Sequence, residues 1–100
     1  MKNEEYTPST NPIILDFSEC KTHYDLYNVI SVAFDFPEFF GKNLDALWDC
    51  MKDYCEKGTQ VIIKGSKLIP CTLKDTFAEI LEVFNNVHKR TPSVTFEIVS

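Results

Sequence analysis

Residues 35–56 read DFPEFFGKNLDALWDCMKDYCE, and the rest of the chain is arranged around them. Wound as a helix, residues 44–55 divide into two faces. Leu44, Leu47, Cys50, Met51, Tyr54 and Cys55 share one arc, an apolar stripe suited to a core. Asp45, Asp49, Lys52, Asp53 and Glu56 share the opposite arc, with Trp48 at the boundary beside Asp45 and Asp49. Asn43 is placed to cap the helix, its side-chain oxygen accepting a free N–H of the first turn, and Gly41 lets the preceding loop turn at positive φ. The acidic arc is locally unfavourable. Asp45, Asp49 and Asp53 set like charges four residues apart twice, each costing about 0.2–0.5 kcal/mol on an exposed helix. Asp45 alone gains from the positive helix N-terminus, and Lys52 relieves part of the repulsion. A helix chosen only for stability would avoid this pattern, so the face is the candidate functional surface.

Outward from this stretch, the N-terminal side begins with a polar lead-in over residues 1–11. PIILDF, Pro12 to Phe17, is a short β-branched run that suits a first strand buried on both faces. Thr22 opens a helix with Asp25 at the capping-box position, and Leu26, Val29, Ile30 and Ala33 carry its apolar spacing to an end near Phe34. Pro37 enforces the break, because the residue before a proline avoids the helical region.

On the C-terminal side, Glu56, Lys57 and Gly58 close the acidic helix, and QVIIK, Gln60 to Lys64, forms a second strand. Pro70 and Thr72 mark the start of a further helix, with Asp75 again at the capping-box spacing. Leu73, Phe77, Ile80, Leu81, Phe84 and Val87 sustain its 3.6-residue period, while Lys89 and Arg90 suit its negative end. Pro92 stops it. SVTFEIV, Ser93 to Val99, then alternates as a third strand with Val94, Phe96 and Ile98 facing one way. Long helical connections between successive strands favour parallel pairing through right-handed crossovers. The expected architecture is a single α/β domain over residues 1–100, with a three-stranded, mainly parallel sheet.

Composition narrows the function. One hundred residues make one domain with one core. Of the formal net charge of −5, residues 35–56 carry −4, from six acids against two bases. With a single arginine, Arg90, and scattered lysines, the chain lacks the cationic patch that nucleic acid requires. A dense acidic face instead attracts a basic protein, and nucleases are among the proteins with strongly basic sites. The four cysteines form no CxxC pair, and no signal peptide or membrane-spanning run is present, which points to a cytoplasmic protein with reduced thiols. Cys50 and Cys55 lack a basic activator. His23 and His88 have no ligand spacing to a cysteine. One acidic helix face cannot supply the six or so oxygens of a calcium site, and outward carboxylates are not the desolvated pair of a glycosidase. No metal, cofactor or catalytic residue is therefore expected.

The run PEFFGKNLDALWDC, Pro37 to Cys50, strongly resembles the hallmark of the barstar family of intracellular ribonuclease inhibitors. The resemblance extends more weakly from the first strand through ILEVF to the closing TFEIVS. It implies the barstar-like two-layer fold, with a three-stranded parallel sheet packed with helices. It also implies that the acidic helix and the loop before it plug the active site of a basic, extracellular-type ribonuclease or nuclease toxin. By that resemblance Asp49 matches the aspartate that occupies the enzyme's phosphate site, and Asp45 a second acidic contact. Trp48 matches a neighbouring tryptophan and Phe39 an aromatic of the contacting loop. Charge-assisted bonds from Arg and Lys to a carboxylate are the strong kind, so a helix-borne carboxylate can imitate a phosphate.

Some positions depart from the best-known member of the family. Phe39 replaces a tyrosine, Lys52 a small polar residue, Asp53 a glycine and Tyr54 a tryptophan, while Asn86 replaces an acidic third-helix contact. The inner Asp45–Trp48–Asp49 set is kept and the rim is changed, a pattern that retargets partner choice. The expected partner-binding set is thus Phe39, Gly41, Asn43, Asp45, Trp48, Asp49, Lys52, Asp53 and Asn86. The expected function is that of a non-enzymatic, immunity-type inhibitor, monomeric when free. The alternative is an acidic adaptor on the same fold that binds another basic protein without inhibiting a nuclease.

Overall fold

The computed structural model describes residues 12–36 and 43–99, with only the backbone at Tyr54. Strand β1 (Ile13–Asp16) leads to α1 (His23–Phe34) and α2 (Leu44–Tyr54), then β2 (Gln60–Lys64), α3 (Lys74–Arg90) and β3 (Thr95–Ile98). The sheet has the order β1-β2-β3, with both pairs parallel. This is the α/β architecture expected from the alternation of elements. β2, the strand after two helices, is the central one.

The termini of α1 follow from its sequence. Thr22 has extended backbone and its hydroxyl accepts the Asp25 N–H at 3.1 Å, while the Asp25 carboxylate accepts the N–H of Thr22 at 3.1 Å, a complete capping box. That carboxylate also accepts the Lys21 N–H at 2.9 Å. At the other end Asp35 adopts the left-handed conformation, φ 57°, and its N–H returns to Ser31 and Val32 carbonyls. Aspartate tolerates that region better than most residues.

The backbone N–H groups of Lys21 and Thr22 hold the Asp25 carboxyl below the usual carboxylate range. The folded value lies below the unfolded one, so its stabilising contribution is present above the ordinary carboxylate pKa and is lost as pH falls through the depressed one. Thermal melts between about pH 5 and pH 2 are expected to show the wild type losing more stability than Asp25→Asn. Parallel pH profiles for the two proteins count against the capping role of this carboxylate.

Helix α3 begins differently from the sequence expectation. Thr72 does not cap it. Cys71–Leu73 form a 3-10 turn, with the Leu73 N–H donating to the Pro70 carbonyl at 2.9 Å, and this turn runs directly into Lys74. A capping residue must be extended, and Thr72 sits inside a helical turn, so Asp75 has no box to complete. The apolar stripe is as expected: Leu73, Phe77, Ile80, Phe84 and Val87 are buried, with Leu81 partly so.

All the helical cover lies on one side of the sheet. Leu15, Val61 and Ile63 are buried toward the helices, whereas Ile14 is 44% exposed and Asp16, Gln60, Lys64 and Glu97 are exposed. β1 is therefore not buried on both faces. Among the described residues no helix covers the second face, so side chains there such as Ile14 meet solvent. The third strand also departs from simple alternation. Ile98 pairs in register with Ile63 and shares its side of the sheet, yet is 51% exposed, while Val94 is fully buried. The helix layer stops short of this edge and leaves a groove of about 350 Å³ lined by Ile63, Leu81, Phe84, His88, Phe96 and Ile98.

The chain closes tightly where β2 ends. Gly65 has φ +74°, and a Cβ there would lie 2.5 Å from the Ser18 backbone nitrogen, so a side chain would meet the turn after β1.

Candidate functional site: the acidic face of α2

Asn43 sets the start of α2. Its backbone is extended and its Oδ1 accepts the Ala46 N–H at 2.8 Å. From this fixed origin Leu47, Cys50 and Met51 enter the core, at 0%, 9% and 1% exposure. Leu44, Ala46 and Cys55 pack partly against the same cluster, and α2 rests on α3. The helix is thus held along one side. The opposite side presents Asp45, Asp49, Asp53 and Glu56, all exposed. Four residues of helix rise about 6 Å, so the three aspartates form an evenly spaced row along one rigid support.

Trp48 lies at the boundary. It is half-buried, packed against the core cluster on one side, with Lys52 Nζ 5.6 Å from its ring centroid. Lys52 also forms an ion pair with Asp49, Nζ to Oδ1 3.6 Å, in which the Asp49 side chain remains 71% exposed. Side chains on a helix lean toward its N-terminus, which brings Lys52 back over Trp48 and Asp49. Asn86 is exposed on α3, the helix on which α2 rests. Phe39 and Gly41 lie outside the described residues.

The thiols nearby are unsuited to nucleophilic work. Burial pushes the Cys50 thiol above its ordinary value, and the negative charges of Asp53 and Asp49 push the same way. Burial raises Cys55 to about 11. Both are therefore protonated at neutral pH. The two histidines have structural partners. His88 donates from Nδ1 to the Val94 carbonyl at 2.7 Å, and His23 Nδ1 lies 2.8 Å from Thr76 Oγ1 across α1 and α3. Among the described residues no three His, Cys, Asp or Glu side chains gather to hold a metal ion, and no helix is long and apolar enough to cross a membrane.

The groove beside β3 is the feature that sequence reasoning missed. Its lining among the described residues comes from β2, α3 and β3. No local pattern could have revealed it, because it arises from where α3 ends relative to the sheet edge.

Comparison with known proteins finds similarity over most of the chain. The Bacillus subtilis (strain 168) protein named "Putative ribonuclease inhibitor YrdF" is 27% identical over 77 residues, covering 77% of this chain and 85% of that protein. A family model described as Barstar (barnase inhibitor) matches residues 10–100. Because that match takes in the whole sheet and all three helices, the chain belongs to the Barstar (barnase inhibitor) family.

Proposed function

We propose that this protein inhibits a basic ribonuclease by placing the acidic face of α2 over the enzyme's phosphate-binding site. The observation that carries the reading is the exposed row Asp45–Asp49–Asp53 on a helix anchored by Leu47, Cys50 and Met51. A carboxylate held on a rigid element loses little freedom when it meets an Arg or Lys cluster, so it substitutes well for a phosphate. Asp49, in the middle of the row, is the central contact and Asp45 the second. Trp48 packs at the mouth of the site, with Phe39, Gly41, Asn43, Lys52, Asp53 and Asn86 completing the partner-binding surface. Inhibition here is occupation of a site, without catalysis, metal or cofactor.

Long-range attraction between opposite charges speeds encounter at low salt and is screened beyond about 8 Å at physiological ionic strength. A cytoplasmic immunity role fits this reading, as do the four free cysteines Cys20, Cys50, Cys55 and Cys71.

The test begins with capture at low salt from the source cells or culture medium, using wild type and Asp49→Ala as baits. RNA hydrolysis by each captured basic protein, and by barnase, is then measured with and without the inhibitor. Stoichiometric loss of nuclease activity with the wild type supports the proposal. If no nuclease is inhibited, the inhibitor function is abandoned and the acidic face is that of an adaptor.

A further inference from the structure

We propose that Lys52 is an internal competitor for Asp49: it offsets part of the carboxylate's charge in the free protein and lowers the affinity of any cationic partner for that group. This rests on the reading of Asp49 as the central partner contact. Lys52 Nζ lies 3.6 Å from Asp49 Oδ1 and 5.6 Å from the Trp48 ring centroid, so one ammonium group sits beside two members of the inner set. Both contacts follow from helix geometry. Asp49 is three residues and Trp48 four residues N-terminal to Lys52, on the side toward which its side chain leans.

Three other carboxylates lie on this face, Asp45, Asp53 and Glu56, and Lys52 is the only lysine or arginine within α2. Its ion pair is formed with the aspartate at the centre of the row. The ring face adds a cation–π attraction, which is within its usual reach of about 6 Å. A partner's cation therefore reaches Asp49 against the repulsion of an ammonium group already beside that carboxylate. Every cationic partner loses the same factor. Weak, non-cognate basic proteins fall below useful affinity, while a bidentate arginine site still binds because it holds the carboxylate more strongly than one ammonium does. Lys52 thus lowers the affinity of the acidic face for every basic surface, and the weakest complexes are the first to be lost.

The test is a mutant cycle on the full chain with tetra-arginine peptide as the probe. Binding is followed by the emission of Trp48, the single tryptophan, and by the backbone amide shift of residue 49. At about 0.15 M salt, charges more than about 8 Å apart are largely screened, which isolates the local effect. An exposed ion pair of this kind changes affinity by about two- to fivefold. Lys52→Gln is expected to bind the peptide tighter than wild type by that factor, and the gain is expected to vanish when both proteins also carry Asp49→Asn. Melting curves of all four proteins verify that each is folded.

An equal gain in the Asp49→Asn background would mean that only net charge matters, and the gate is overturned. Lys52→Gln binding no tighter than wild type, including no binding by either, also overturns it. The inhibitor reading stands or falls separately. Coupling in the cycle with no ribonuclease inhibited by wild type removes the inhibitor and leaves the gate; inhibition through Asp49 with no coupling removes the gate alone.

Discussion

Asp49→Ala is expected to weaken inhibition of the target ribonuclease by at least about a hundredfold, because under the proposed mechanism it would leave the enzyme's phosphate-site cations buried and unpaired. Removing one partner of a buried ion pair costs about 3–5 kcal/mol, and each 1.4 kcal/mol is tenfold in affinity. Asp49→Asn is expected to lose nearly as much, since it keeps the shape but not the charge. Stability should move little. The substitution relieves the like-charge repulsion of Asp49 with Asp45 and Asp53, worth about 0.2–0.5 kcal/mol each, and gives up the exposed pair with Lys52, of similar size. Inhibition constants and melting temperatures measured on the same preparations check both halves. Unchanged inhibition by Asp49→Ala would remove phosphate mimicry as the mechanism.

The largest expected loss of stability is at Phe17. It is fully buried at the end of β1, its ring packs edge-on against Phe77 of α3 with centroids 5.2 Å apart, and its N–H donates to the Lys64 carbonyl at 2.9 Å. It therefore ties the first strand, the central strand and the longest helix together. Phe17→Ala leaves a cavity at the junction of these three elements. A cost of about 3–5 kcal/mol is expected, a large part of the stability of a domain this size. For about a hundred residues that lowers the melting temperature by roughly 12 °C or more. Chemical denaturation checks the magnitude, and a loss below about 1 kcal/mol would show that the core repacks around the gap. Because Phe17 is fully buried and presents no surface to a partner, inhibition by the folded fraction is expected to be retained.

These two substitutions also divide what could be read from the chain. Asp49 is readable as a surface group because Leu47, Cys50 and Met51 fix the phase of α2, and an amphipathic helix of known phase has only one way to face a core. Asn43 gives the origin of that phase by the same logic, since an Asx side chain before a helical run has a specific N–H to accept. The second capping box failed for a reason equally local. Thr72 and Asp75 have the right spacing, but Pro70 and the 3-10 turn at Cys71–Leu73 place Thr72 inside a helical turn, and spacing carries no information about that. Phe39 and Gly41 lie beyond what the structure describes.

Lys52 is an intermediate case. Its spacing from Asp49 is in the sequence, and some relief of the acidic row could be expected from it. That its charge rests on Asp49 and on the Trp48 ring, with Asp45, Asp53 and Glu56 on the same face, depends on the side-chain conformation it adopts on the folded helix.

Local pattern therefore determined the elements of this protein, their order, the parallel sense of the sheet and the outward face of α2. Each of these follows from periodicity, capping chemistry or connection length, which act over a few residues or along one crossover. The strand order, the open face that exposes Ile14, and the groove that leaves Ile98 half in solvent were decided only in the tertiary structure. They depend on how three helices of fixed length cover one side of a sheet. No single segment encodes where that cover ends, because it is set by packing between residues far apart in the chain.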